Sequence, residues 1–203
     1  MEAGKAPTNG RQTATVQRER LLRTAAQLFA QQGYHATGVA ELGSALSLGR
    51  GALYHHMGSK DALLAEIVAR HVHEMVAFGE QVLEQDVPAP EKFRALSRRL
   101  MRTIGEDLAE VVVFYRESSH LQGEARAEVL RLRRRYEEIW AEVLEQGVRD
   151  GCFRADGPLV IRAILGMHNY SAFWIDPAGP MAPEEIADAF CDLLLRGLMI
   201  RDA

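Results

Sequence analysis

The chain has 203 residues, 47% of them hydrophobic and 26% charged, which is the composition of a folded soluble protein and excludes disorder along the whole length. Its net charge of −4 excludes a uniformly basic nucleic-acid binder. The charge is unevenly placed, however: residues through Ala65 carry +3 and the remainder carries −7, as expected of a basic DNA module joined to an acidic partner domain.

No run approaches the roughly 18 unbroken apolar residues of a membrane span, so no membrane partner is expected. The first twenty residues lack the apolar stretch of a secretory signal, and the expected address is the cytoplasm. Cys152 and Cys191 form no CxxC, so neither a disulfide framework nor a zinc site is indicated.

In chain order, residues 1–17 are polar and aperiodic and read as a flexible arm, with Lys5, Arg11 and the adjoining Arg18 giving it positive charge. Leu21, Leu22, Ala25, Leu28 and Phe29 recur at helical spacing and predict a first helix that stops at Gly33. Thr37 is placed as the N-cap of a short helix carrying Val39, Leu42 and Leu46. A break at Ser47-Leu48-Gly49 precedes a second short helix from Arg50 to His56, and Ser59-Lys60-Asp61 opens a long one.

A bundle of longer helices follows, at about 91–106, 108–118, 125–150, 159–174 and 183–200. Val111-Val112-Val113-Phe114-Tyr115 has the apolar density of a buried strand as well as of a helix, and its neighbours favour helix. With no strand alternation and no internal repeat, the predicted fold is all-α: three N-terminal helices, two of them short, followed by a long helix and a bundle of longer ones.

Two short helices joined by a tight turn form a helix-turn-helix, whose second helix enters the major groove. Thr37 offers a hydroxyl and a helix N-terminus to a phosphate. Arg50 can fork onto guanine O6 and N7. Gly51 lets the backbone approach the bases, Tyr54, His55 and His56 supply hydrogen-bonding rings, and Lys60 is a phosphate anchor.

The string Ala36-Thr37-Gly38-Val39 through Gly51-Ala52-Leu53-Tyr54-His55-His56-Met57-Gly58-Ser59-Lys60-Asp61-Ala62-Leu63-Leu64 resembles the DNA-binding domain of TetR-family transcriptional regulators. The resemblance implies a homodimeric, ligand-responsive repressor of double-stranded operator DNA. It assigns backbone phosphates to Thr37, Tyr54, His56 and Lys60, and base edges to Arg50, Gly51 and His55. It divides the chain into an arm (1–17), a DNA-binding domain (18–65) and a ligand-binding and dimerisation domain (66–203). Two positions depart from the family pattern: Ser47 replaces a usual Gly in the turn, and Gly49 replaces a usual Ser before the second helix.

In the second domain the last helix is apolar over most of its circumference, which suits burial against a partner subunit. The pocket candidates are polar or aromatic residues on apolar stripes: Tyr115, Trp140, His168, Asn169, Tyr170 and Trp174, together with His71, Met75, His120 and Tyr136. Arg131 and Arg133-Arg134-Arg135 read as a solvated face with i,i+4 pairs to Glu137 and Glu138, or alternatively as a phosphate clamp. Phe114-Tyr115-Arg116-Glu117, the long arginine-rich helix and Trp174-Ile175-Asp176-Pro177-Ala178-Gly179-Pro180 together resemble TetR-type regulators of fatty-acid and related acyl-coenzyme A metabolism, which implies an acyl-coenzyme A or other amphiphile as effector. GxSxG, Walker A, HExxH and dinucleotide-glycine motifs are absent, so neither an enzyme nor a cofactor is expected. His71 and His73 diverge on a helix and do not suggest a shared metal.

Overall fold

The computed structural model describes residues 9–154 and 157–199. Among them the chain forms α1 (Asn9–Gln32), α2 (Val39–Leu46), α3 (Arg50–Met57), α4 (Lys60–Leu83), α5 (Ala89–Glu106), α6 (Leu108–Glu117), α7 (Gly123–Arg149), α8 (Pro158–Tyr170) and α9 (Pro183–Leu198). The only extended pairing among the described residues is an isolated bridge between Phe153 and Met199.

The hydrophobic stripes read from sequence are the buried faces. Leu21, Leu22, Ala25 and Phe29 of α1 pack with Leu42 and Leu46 of α2, Leu53 and Met57 of α3, and Leu63, Leu64 and Ile67 of α4. This core continues beyond the short helices into Val113 and Phe114 of α6 and Val129 and Leu132 of α7. A second core lies between α5, α7, α8, α9 and the far half of α4, around Phe93, Trp140, Ile164 and Cys191. Helix α4 therefore belongs to both cores. Its first residues shape the helix-turn-helix, and its later residues wall the C-terminal bundle.

The apolar run at 111–115 is helical, because α6 lies across both α1 and α4 and buries Val111 in one core and Val113 and Phe114 in the other. Three local expectations change. First, α1 begins at Asn9, so the later part of the expected arm is helical; residues 1–8 lie outside the described residues. Beyond Gly10 nothing up to Gln32 breaks a helix, and extending a packed helix costs little once its nucleus exists. Second, Gly38, not Thr37, occupies the N-cap of α2, and Thr37 is buried with its hydroxyl donating to Gly33 O at 2.9 Å. Third, α8 ends at Tyr170, and a 3-10 turn over Ser171–Phe173 takes the place of its last turn, with Trp174 N–H bonded to Ser171 O.

Candidate DNA interface and effector cavity

The turn between α2 and α3 is closed by the backbone. Ser47 adopts the left-handed conformation, φ 57° and ψ 37°, and the N–H groups of Ser47 and Leu48 return to Ser44 O and Gly43 O. Gly49 precedes α3 without a side-chain cap, as its lack of a side chain requires.

Helix α3 is pinned inward by Leu53 and Met57, and this fixes which residues face out. Arg50, Gly51, Ala52, Tyr54, His55 and His56 are all exposed. The Arg50 guanidinium lies 5.8 Å from the Tyr54 ring centroid. A cation, a phenol and two imidazoles thus share one short exposed helix, the inventory needed to reach base edges and flanking phosphates.

Lys60 sits beside this surface rather than free on it. Its Nζ donates to Thr37 O at 2.8 Å and lies 4.4 Å from the Tyr34 ring centroid. The Tyr34 hydroxyl donates to Asp61, and burial together with that carboxylate raises its pKa. Ser59 caps α4 by accepting from Ala62 N–H at 3.0 Å. Five of the seven expected DNA residues are therefore exposed on α3 and Lys60 lies at its edge. Thr37 is the exception: with its hydroxyl inside, its side chain is not positioned for a phosphate.

A cavity of about 210 Å³ opens between α4, α5, α6, α7 and α8. Val72, Met75, Leu100, Phe114 and Leu165 make its apolar wall. His71, Tyr115, Tyr136 and Asn169 bring polar atoms to it, and Arg133, Glu137 and Arg162 stand at its exposed rim. The Tyr136 hydroxyl and Asn169 Oδ1 are buried without a hydrogen-bond partner; the Trp140 indole N–H neighbours Tyr136 without closing a normal bond to it. Buried polar atoms of this kind usually find partners, so these two are ready acceptors or donors for a ligand. Burial raises the pKa of both Tyr115 and Tyr136, which leaves the two phenols neutral. His71 is pushed down to about 4, by burial first and by the Arg99 charge second, and is therefore a neutral imidazole.

Of the six residues expected to bind ligand, Tyr115 and Asn169 line the cavity. Trp140 and His168 are fully buried behind it. His168 already has partners on both ring nitrogens: Nδ1–H donates to Ile164 O at 2.8 Å, and Nε2 lies 2.7 Å from the Ser97 hydroxyl. Since a carbonyl can only accept, Nε2 is the acceptor and Ser97 the donor. Tyr170, the last residue of α8, and Trp174, which follows the 3-10 turn, lie outside the cavity on the surface.

His71, Met75 and Tyr136 also reach the cavity, whereas His120 is exposed and bonded to His35 at 3.0 Å. Sequence reasoning missed Arg162, a cation within the apolar run of α8, and left Arg133 between a solvated face and a phosphate clamp; it is exposed. Among the described residues the expected i,i+4 pairs of Arg133 with Glu137 and Arg134 with Glu138 are not formed; Arg131 pairs with Glu128, and Arg135 with Glu80, Glu138 and Glu142. Arg133 instead lies 5.6 Å from the Phe114 ring centroid at the cavity rim.

The comparisons with known proteins agree with this architecture. The family model described as bacterial regulatory proteins, tetR family, matches residues 21–67. The model described as tetracyclin repressor-like, C-terminal domain, matches residues 86–198. The chain is 29% identical over 196 residues to the HTH-type transcriptional repressor KstR2 of Mycolicibacterium smegmatis, covering 95% of each protein. Among solved structures it resembles the TetR family transcriptional regulator PfmR from Thermus thermophilus, with a TM-score of 0.82 and 39% identity over 87% of this chain and 97% of that one. It also resembles AibR in complex with isovaleryl coenzyme A and operator DNA, with a TM-score of 0.78 and 27% identity over 88% and 98%. The chain belongs to the tetR family of bacterial regulatory proteins and is a DNA-binding transcriptional regulator rather than an enzyme.

Proposed function

We propose that the protein is a homodimeric repressor that reads a palindromic operator through α3 and is released from it by an acyl-coenzyme A thioester. The observation that carries this reading is the position of α4. Its residues His71, Val72 and Met75 wall the cavity, while its first residues pack under α3. A ligand that wedges the cavity acts on the same rigid element that supports the reading helix.

The cavity chemistry supports an anionic amphiphile. Apolar walls suit an acyl chain, Tyr136 and Asn169 offer polar atoms to a thioester carbonyl or a chain substituent, and Arg133 and Arg162 at the rim suit phosphates. Among the described residues neither arginine has an ion-pair partner. The solved neighbour AibR holds isovaleryl coenzyme A, a member of the same chemical class.

A second subunit fits the C-terminal helices. Leu159 on α8 and Leu193 on α9 are 74% and 65% exposed, and Tyr170, Phe173 and Trp174 are exposed near the end of α8. In such a dimer the two copies of α3 would lie about one helical turn of DNA apart, roughly 34–36 Å. Ligand would favour a dimer with a different spacing, which requires that it bind the two states unequally.

The test begins by selecting the preferred duplex from a random double-stranded library with the wild-type protein. Fluorescence anisotropy on that duplex and on a random one follows, with titration by a long-chain acyl-coenzyme A and by isovaleryl coenzyme A. Release from the preferred duplex alone supports the whole reading. Indifference to both thioesters removes the ligand class and keeps the repressor. A protein that prefers no duplex but binds a thioester is a carrier of amphiphiles instead.

A further inference from the structure

Arg18 belongs, by sequence, with the positive charge near the N-terminus, where a basic residue reads as a contact to DNA. The structure turns it inward. Its Nε donates to Glu66 Oε1 at 3.0 Å, its Nη2 donates to Glu66 Oε2, and its Nη1 donates to the backbone carbonyl of His56. One guanidinium therefore joins three elements: α1, which carries it; α4, which carries Glu66; and α3, whose last turn carries His56. We propose that Arg18 is a positioning residue for the recognition helix, setting the angle at which α3 meets DNA and making that angle follow α4.

Three further observations support this. Helix α3 has eight residues and only two buried side chains, Leu53 and Met57, one turn apart. Two apolar anchors one turn apart fix the face that α3 buries and leave the tilt of its axis less constrained. A bond to the His56 carbonyl removes that freedom and places a cation at the negative end of the helix dipole. Second, the Arg18–Glu66 contact is a two-pronged fork, which fixes orientation as well as distance.

Third, the neighbouring residue on α1 is tied to the same helix with the opposite polarity. Glu19 accepts from Arg70 at 2.7 Å, and Arg70 in turn bonds Glu74 at 3.1 Å. Glu66 and Arg70 lie one turn apart on α4, and His71, next to Arg70, faces the effector cavity. Displacement of α4 at the cavity thus reaches His56 through Glu66 and Arg18 without passing through the apolar core. Arg18 and Glu66 keep 31% and 39% of their side-chain surface exposed, so the pair adds little to stability and its loss alters geometry more than folding.

The proposal rests on α3 being the helix that reads DNA. It is tested on the full-length protein with the duplex selected by the wild type and a random duplex, over a series of salt concentrations, with thermal melting in parallel. The variants are Arg18→Met, Glu66→Gln and Arg18→Lys. Arg18→Met and Glu66→Gln should each weaken binding to the selected duplex by about tenfold or more while random-duplex binding falls much less. The salt slope and melting temperature should stay near wild type, and Arg18→Lys, which keeps the charge and a donor, should recover part of the loss.

Glu66→Gln is the decisive variant. If Arg18 were a phosphate contact merely held back by Glu66, removing the carboxylate would tighten binding to both duplexes, and Arg18→Met would lower the salt slope by about one. Either result overturns the proposal. So does affinity lost only in proportion to unfolded protein, or a wild-type preference that both variants retain. A wild-type protein with no preference between duplexes overturns the reading of α3 itself, and the proposal with it.

Discussion

Arg50 and Lys60 are both cations at the reading head, yet their surroundings assign them different work. Arg50 is exposed at the start of α3 beside the Tyr54 ring, so its fork is available to a base. Lys60 has its ammonium on the Thr37 carbonyl and against Tyr34, at the edge of the surface. Arg50→Ala should cost about 1–3 kcal/mol on the selected duplex and relax its sequence preference. Lys60→Ala should weaken selected and random duplexes alike and reduce the salt slope by about one, both read by anisotropy. Equal losses on both duplexes for Arg50→Ala would remove its base-reading role.

His71 gives a second prediction at this scale. Unfolded, it binds a proton near its ordinary value; folded, it refuses one until about pH 4. Unfolding therefore takes up a proton between those limits, and stability falls as pH drops from about 6.5 toward 4. Between pH values of about 7 and about 4.5 this single group should cost about 2 kcal/mol. His71→Leu should lose less stability than wild type by that amount in denaturant titrations at the two pH values. Asp107 and Glu110, whose burial raises their pKa values, act in the opposite direction, but equally in both proteins. Parallel losses in wild type and variant would show that His71 is not the buried neutral group.

Among elements, the turn between α2 and α3 shows what a departure from the family pattern costs. Ser47 holds a left-handed conformation that its Cβ disfavours and that a glycine would adopt freely. Ser47→Gly should stabilise the protein by about 0.5–1 kcal/mol after allowing for glycine's greater freedom when unfolded, measured as a shift in the denaturation midpoint. A loss of stability would mean that the serine side chain contributes something its exposure does not suggest. This turn was legible in the sequence because two short apolar stripes flank three residues that interrupt the pattern. The start of α1 was not, because polar residues extend a helix without leaving a periodic signal. Nor was the end of α8, where the bonding of Ser171 ends the helix while the apolar pattern runs on.

For the whole molecule, the proposed dimer determines whether two weak reading heads make one strong binder. Leu193 is 65% exposed on α9, so a charge there should leave the subunit folded. Leu193→Glu is expected to give a monomer by light scattering that still melts cooperatively, with a midpoint that no longer depends on protein concentration. Affinity for the selected duplex should fall by more than about 100-fold, since two linked half-site contacts become one. A variant that stays dimeric would move the interface to another face.

The sequence by itself determined the all-α class, the positions of most helices and the helix-turn-helix surface, because each depends on residues a few positions apart: a stripe at helical spacing, a turn, a short string of exposed side chains. Only the tertiary structure decided which polar residues face the cavity. His168 and Asn169 are adjacent on one helix, yet Ser97, 71 positions away, satisfies the first, while Asn169 Oδ1 stays buried and unpartnered. Periodicity tells whether a side chain lies on the buried stripe of its helix. What meets it there is set by distant helices that pack against that stripe, and no local pattern encodes them.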